Sequence, residues 1–186
     1  MTLASKTEGR LIAVVGPSGV GKDSVMWGIH GAVPEMHLVQ RVITRAPELS
    51  GEDYRSVSVA TFQNMADSGD FAVHWRAHGL SYGIPSAVAN HTRQGTDCLA
   101  NFSRKALRDA ARVFQRLLVL NITAKPETLA KRLKARGRET AQEIAARLAE
   151  AEKQIPGGMP VIHLSNDGPL EETVSRALNF LQPLRA

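Results

Sequence analysis

The 186-residue chain has a single cysteine, Cys98. An internal disulfide needs two, so a disulfide-stapled secreted scaffold is excluded and a reducing compartment is expected. Cys98 itself reads as a small buried apolar residue rather than a nucleophile. Aromatic residues are also scarce, at 5% of the chain with two Trp and two Tyr. The basic residues are dispersed and not interleaved with aromatic side chains, so no nucleic-acid partner is expected. Long apolar runs are missing. The longest, Leu11–Val15 and Leu117–Leu120, fall far below the roughly 20 residues of a membrane helix, and no membrane partner is expected. Met1 to Arg10 is polar and does not read as a secretory signal. The expectation is a soluble, cytoplasmic protein.

Apolar residues make up 43% and charged residues 22%, which excludes wholesale disorder. The length suits one compact domain, or one with small inserted flaps. Lys and Arg number 23 against 18 Asp and Glu, a net charge of +5. That balance fits an anionic partner such as a phosphorylated small molecule, and equally fits ordinary solubility charge.

Short apolar runs alternate with amphipathic stretches. Leu11–Val15 reads as a buried strand, followed by a glycine-rich turn and a helix to about Ile29. Val39 to Ile43 reads as a second strand, Asp97 to Phe102 as a third leading into a helix from Ser103 to Phe114, and Leu117 to Ile122 as a fourth. Pro126 suits the first turn of a helix to about Arg136. A helix over about 140–154 has Ile144, Leu148 and Ala151 on one face, then a Pro-Gly loop, a strand at Val161–Leu164 and a helix at Pro169–Leu181. Such alternation predicts an α/β fold with a mostly parallel sheet covered on both faces. The stretch from Ala46 to about Asn90 carries turn signals and mixed polar and aromatic residues, and reads as a small α+β insertion.

The strand–loop–helix junction at Gly16-Pro17-Ser18-Gly19-Val20-Gly21-Lys22-Asp23-Ser24 has the context of a phosphate-binding loop. Glycines let successive backbone N–H groups turn inward toward polyphosphate oxygens, aided by the positive end of the helix. Lys22 adds a charge that follows the transferred phosphoryl group. The residue after such a lysine is normally Ser or Thr, whose hydroxyl holds Mg²⁺; here it is Asp23, with Ser24 one place later. Either is a candidate metal ligand, Asp23 being a hard oxygen donor.

Candidate substrate contacts are basic and aromatic. Arg41 and Arg45 flank the end of the second strand, where a guanidinium clamps a phosphate bidentately. Two histidines, an arginine and a tyrosine fall within His74-Trp75-Arg76-Ala-His78-Gly-Leu-Ser-Tyr82. His74 and His78 lack the helix and third ligand of a zinc pair. Arg136-Gly-Arg138 lies at a helix break, where a mobile lid can close over a nucleotide and exclude water.

The order of these blocks resembles the guanylate kinase-like branch of the P-loop nucleoside monophosphate kinases over nearly the whole chain. The matching residues are the phosphate loop, Thr44-Arg45-Ala-Pro47, Gly51-Glu-Asp-Tyr54, Gly69-Asp-Phe71, Tyr82-Gly83 and the arm from Arg132 to Arg147. The resemblance implies a parallel-sheet core (about 9–40, 92–130 and 155–186), a substrate-binding flap (about 41–91) and a helical lid (about 131–154). The chain departs from guanylate kinases at Glu48, where they carry a second arginine, and at Val73, where they carry the glutamate that reads guanine. It departs again at Ile84, where they carry Ser or Thr, and at Asn101-Phe102-Ser103-Arg104, where they carry an acidic strand end.

The same departures resemble the ribose 1,5-bisphosphate phosphokinase subfamily of phosphonate utilisation, through Gly21-Lys22-Asp23, Arg41-Val-Ile-Thr-Arg45, His74 through Pro85, and Asn101-Phe-Ser103-Arg104. That resemblance implies transfer of the ATP γ-phosphoryl to ribose 1,5-bisphosphate, giving 5-phosphoribosyl 1-diphosphate. It implies ATP on Gly16 to Ser24 and Mg²⁺ on Asp23 or Ser24. The acceptor's phosphates fall to Arg41, Arg45 and Tyr82, and its sugar or second phosphate to His74, His78, Ser103 and Arg104. Lys22, Arg136 and Arg138 are the implied catalytic groups. A kinase acting on GMP or another nucleoside monophosphate, and a non-catalytic guanylate kinase-like module, are the alternatives.

Overall fold

A computed structural model describes residues 7–46, 53–137, 140–151 and 154–181. Two sheets organise them. The larger contains β1 (Leu11–Val15), β2 (His37–Leu38), β7 (Cys98–Asn101), β8 (Leu117–Thr123) and β9 (Val161–Ser165), in the order β2-β7-β1-β8-β9. All its pairings are parallel. Every residue of β1 is buried, as a central parallel strand with both faces covered requires.

Alternate residues of these strands feed two cores. Ile12, Val14, Leu118, Leu120 and Ile122 face α1 (Lys22–Ala32), α5 (Pro126–Arg136) and α7 (Leu170–Leu181). Leu11, Ala13, Val15, Cys98, Ala100 and Val119 face α3 (Ala87–Arg93), α4 (Leu107–Val113) and the second sheet. Burial pushes the Cys98 thiol up to about 12, helped by the charge of Asp97, so it is an inert core group.

The second sheet has the order β4-β3-β6-β5, from β3 (Arg41–Ile43), β4 (Tyr54–Ser56), β5 (Phe71–Ala77) and β6 (Leu80–Pro85). Strand β3 pairs parallel with β4 and antiparallel with β6, and β5 and β6 form a hairpin. Helix α2 (Val59–Asp67) follows β4 and is N-capped by Ser58, whose hydroxyl accepts from the Thr61 amide at 3.0 Å.

The expected single strand over Val39–Ile43 is two short strands in different sheets. His37 and Leu38 pair with β7, whereas Arg41 to Ile43 pair with β4 and β6. Val39 and Gln40 are the crossing between them, and no hydrophobic periodicity signals a change of partner. The helix expected from Ser103 starts as a 3₁₀ turn, Arg104–Ala106, before α4. The remaining large-sheet strands and their helices lie where periodicity and caps put them, Pro126 opening α5 and Gly137 (φ 65°) closing it. The helix expected over about 140–154 is α6, Ala141–Ala151.

One buried ion pair closes the bottom of the large sheet. Asp97 accepts from the Arg10 backbone amide at 2.7 Å and from its guanidinium at 2.6 Å, while Arg10 also donates to the Leu181 carbonyl at 3.1 Å. The start of β1, the start of β7 and the end of α7 are thereby joined. No helix among the described residues is long and apolar enough to cross a membrane.

Candidate active site

The loop between β1 and α1 lies at the carboxyl end of the central strand, where open parallel sheets bind ligands. Its shape depends on glycine. A Cβ at Gly16 would stand 2.4 Å from the Ile122 carbonyl oxygen, and Gly21 caps α1 with φ 91°, a conformation L side chains rarely adopt. Lys22 opens α1 and folds back over the loop, its Nζ donating to the carbonyls of Gly16 (2.9 Å) and Pro17 (3.1 Å).

Two side chains hold the loop from behind. Arg132 on α5 donates to the carbonyls of Val20 (3.3 Å) and Asn166 (2.8 Å), and Asn166 donates to Val20 at 2.8 Å. Thr173 of α7 donates to the Asn166 Oδ1 at 2.9 Å. Sequence reasoning placed Arg132 in the lid arm and did not single out Asn166. Only the contact with Val20, more than a hundred residues away in the chain, reveals their work.

Asp23 stands in the first turn of α1. Asn101, the last residue of β7, donates through Nδ2 to Asp23 Oδ1 at 3.0 Å. Asp23 Oδ2 and the exposed Ser24 hydroxyl have no hydrogen bond among the described residues. No cluster of three or more His, Cys, Asp or Glu suited to a metal occurs among the described residues. A lone carboxylate and hydroxyl beside a phosphate loop fit Mg²⁺, which takes one or two protein oxygens and completes its shell with phosphate and water.

Asp23 and Asn101 open onto a cleft of about 510 Å³. Trp27 and His30 of α1 line it, together with His37, Arg41 and His91. Arg41 is buried, its guanidinium 5.3 Å from the centroid of the Tyr82 ring. The Tyr82 ring stacks on Trp75 (5.5 Å, 6° between planes), and Trp75 stacks on Phe102 (5.3 Å). His37 and His91 stack at 4.6 Å. Burial lowers the His37 pKa from its ordinary value, and the charges of His91 and His30 add to the effect. These three histidines are 30, 37 and 91 in the chain, a spacing that carries no motif.

The sequence-predicted substrate residues separate. Asp23 and Arg41 share the cleft; Tyr82 backs Arg41 without lining the cleft; Arg45, His74, His78, Ser103 and Arg104 do not line it. Arg45 lies over the Tyr54 ring at 5.6 Å, with the Tyr54 hydroxyl donating to the Ala46 carbonyl at 2.7 Å. His74 is exposed on the face of β5 opposite Trp75, near Phe62 and Phe71, because strand side chains alternate. It is therefore turned away from Tyr82 and Arg41.

His78 (φ 51°) and Gly79 (φ 75°) form the two-residue turn between Ala77 and Leu80. Both central residues have positive φ, as a type I′ hairpin demands, so the His78-Gly79 pair marks a turn. Ser103 uses its hydroxyl to cap the 3₁₀ turn, accepting from the Lys105 amide at 3.4 Å. Arg104 follows, half-buried, and burial lowers its guanidinium pKa. Arg136 is the last residue of α5; Pro47, Glu48, Gly51 and Arg138 lie outside the described residues. Val73 (3% exposed) and Ile84 (0%) face the apolar core between the two sheets.

A five-stranded parallel sheet with a lysine-bearing phosphate loop and a second sheet over the cleft defines a P-loop kinase of the guanylate kinase type. The family model described as guanylate kinase matches residues 8–182. A guanylate kinase from Anaplasma phagocytophilum superposes with a TM-score of 0.66 at 18% identity, covering 96% of this chain and 87% of that one. A gluconokinase from Sinorhizobium meliloti 1021 superposes at 0.55 and 19% identity, covering 96% and 94%; both likenesses speak for the fold alone. Sequence relatives reach further. The ribose 1,5-bisphosphate phosphokinase of Ruegeria sp. (strain TM1040) is 47% identical over 98% of this chain and 96% of its own length. That of Rhizobium etli (strain CIAT 652) is 44% identical over 98% and 94%, and that of Agrobacterium fabrum 41% over 92% and 96%. The chain belongs to the ribose 1,5-bisphosphate phosphokinase family.

Proposed function

We infer that this chain transfers the γ-phosphoryl group of ATP to the 1-phosphate of ribose 1,5-bisphosphate, releasing ADP and 5-phosphoribosyl 1-diphosphate. One observation carries the choice of acceptor. The positions that read guanine in guanylate kinases are Val73 and Ile84, both sealed in the core, while Arg41 and Asp23 line one cleft beside the phosphate loop. Buried hydrogen-bond partners decide such choices; the two guanine-reading positions carry no polar group here, while the cleft brings the Arg41 guanidinium and the Asp23 carboxylate beside the phosphate loop.

An oxygen of the acceptor phosphate forms the new bond to the γ-phosphorus as the bond to the ADP oxygen breaks. The acceptor is already anionic near neutral pH, so no strong base is required, and catalysis rests on positioning and charge neutralisation. In this reading Gly16 to Ser24 cradle the ATP phosphates. Lys22 exchanges its two loop carbonyls for the phosphoryl oxygens. Arg41 binds an acceptor phosphate, with Tyr82 and Trp75 holding the guanidinium in place. Asp23 and Ser24 would hold Mg²⁺, which would supply charge neutralisation for the phosphoryl transfer. Arg136 and Arg138 close from the lid.

The test is purified protein with ATP, Mg²⁺ and ribose 1,5-bisphosphate, and GMP in a parallel tube, followed by phosphorus NMR. A new sugar diphosphate with GMP inert supports the assignment; turnover of GMP with the sugar inert overturns it.

A further inference from the structure

The hydrogen bond between Asn101 and Asp23 inverts a familiar division of labour. In P-loop NTPases such as Ras and the ATPases, the loop residue after the lysine offers a neutral hydroxyl, and the carboxylate serving the metal comes from the end of a strand beside the loop. Here the carboxylate, Asp23, follows Lys22, and the strand end next to β1 carries a neutral amide, Asn101. The two are joined at 3.0 Å, and Asn101 is more than nine-tenths buried.

We propose that Asp23 and Asn101 are an exchanged pair, in which the single carboxylate serving Mg²⁺-nucleotide is delivered from the helix and Asn101 is its positioning residue. The proposal rests on the metal role assigned to Asp23 above. The chemistry of the pair favours it. The amide N–H of Asn101 occupies Asp23 Oδ1, fixing the carboxylate rotamer and leaving Oδ2 for a cation or its water. Metal-binding carboxylates are held by such outer partners, whose loss typically weakens metal binding about 10–100-fold. A carboxylate at both positions would set two like charges about 3 Å apart and remove the N–H that Asp23 Oδ1 accepts. A neutral group at both would leave the loop without an anionic oxygen ligand. One acid and one amide is the combination that keeps a single carboxylate held by a hydrogen bond from its neighbour, and the exchange preserves that count.

The experiment uses the isosteric variants D23N, N101D and the double exchange D23N/N101D in the full chain. Binding of a fluorescent ATP analogue is titrated with Mg²⁺ and again in EDTA, and Mn²⁺ binding to the protein–nucleotide complex is followed by electron paramagnetic resonance. D23N is expected to lose Mg²⁺-dependent nucleotide affinity by about 10–100-fold, with affinity in EDTA unchanged. N101A, which deletes only the partner, is expected to weaken the Mg²⁺ response about tenfold, again without effect in EDTA. The double exchange is expected to recover to within about threefold of the parent. A double exchange no better than D23N overturns the proposal. Unchanged Mg²⁺ dependence in D23N would instead remove the metal role of Asp23 itself. Should the isosteric pair melt at much lower temperature, D23S/N101D, which restores the usual hydroxyl and strand acid, gives the same contrast.

Discussion

The indole of Trp75 lies against the ring of Phe102, centroids 5.3 Å apart and planes 21° from parallel. Trp75 belongs to the second sheet; Phe102 directly follows Asn101 at the end of β7 in the large one. The stack continues through Tyr82 to the guanidinium of Arg41, so the group assigned to the acceptor phosphate is aligned on the core by three rings. Replacing Trp75 with alanine is expected to destabilise the fold by about 2–3 kcal/mol, below the range for a fully buried Trp because this side chain is half-buried. The acceptor's KM should rise while nucleotide affinity stays unchanged, and Trp75→Phe should restore most of it. Steady-state kinetics in each substrate checks this; a proportional rise in both KM values would mean the stack serves stability alone.

Much of this arrangement was legible in the sequence, and the limits have a physical pattern. Leu11–Val15, the glycine loop and Lys22 were readable because a buried strand, a left-handed turn and a helix start each demand particular residues within a few positions. Asn101 with Asp23 and Arg132 with Val20 were not readable as contacts, since they depend on strand order and helix packing. His74 and Tyr82 seemed one cluster by proximity, yet strand alternation puts them on opposite faces of the sheet. His78 drew attention as a histidine, while its backbone shows a turn residue beside Gly79. The three histidines of the cleft had no spacing to betray them.

Arg10 and Asp97 predict a stability effect far from the chemistry. Both are buried and share a contact of 2.6 Å, and Arg10 also ties β1 to the end of α7. Removing one partner leaves the other charge buried and uncompensated, which costs about 3–5 kcal/mol. Asp97→Asn should therefore lower the denaturant midpoint substantially without changing the acceptor's KM in the protein that remains folded. Replacing both residues by apolar ones of similar volume should recover a large share of the loss. Urea unfolding of the single and double variants separates these outcomes.

His37 predicts acid sensitivity. Its pKa is lowered in the folded chain, first by burial and then by the charges of His91 and His30. The unfolded chain then binds a proton more readily, so folding stability rises with pH across this window. The contribution is intact above about pH 6.5, the unfolded value, and is lost as pH falls from there through the lowered folded value. The melting temperature of the parent should drop more between pH 7.5 and 5.5 than that of His37→Gln. A saturating phosphorylated sugar should reduce the drop if it occupies the same cleft. Equal slopes for parent and variant would show that His37 does not titrate against folding.

Val73 and Ile84 predict how the acceptor preference resists conversion. A reader of guanine would need a carboxylate and a hydroxyl at these two positions, yet both side chains point into the apolar core, 3% and 0% exposed. Val73→Glu would bury a carboxylate without a partner, which either ionises at high cost or stays protonated. The expected result of V73E/I84S is a fall in melting temperature and no gain of GMP turnover, because the new carboxylate and hydroxyl would stand in the apolar core rather than against a ligand. If Val73 and Ile84 lined an acceptor site, the double variant would remain folded and phosphorylate GMP. Calorimetry beside an ADP-release assay with GMP distinguishes the two, and GMP turnover by a stable double variant would relocate the acceptor site from the Arg41 cleft to the core side of the second sheet.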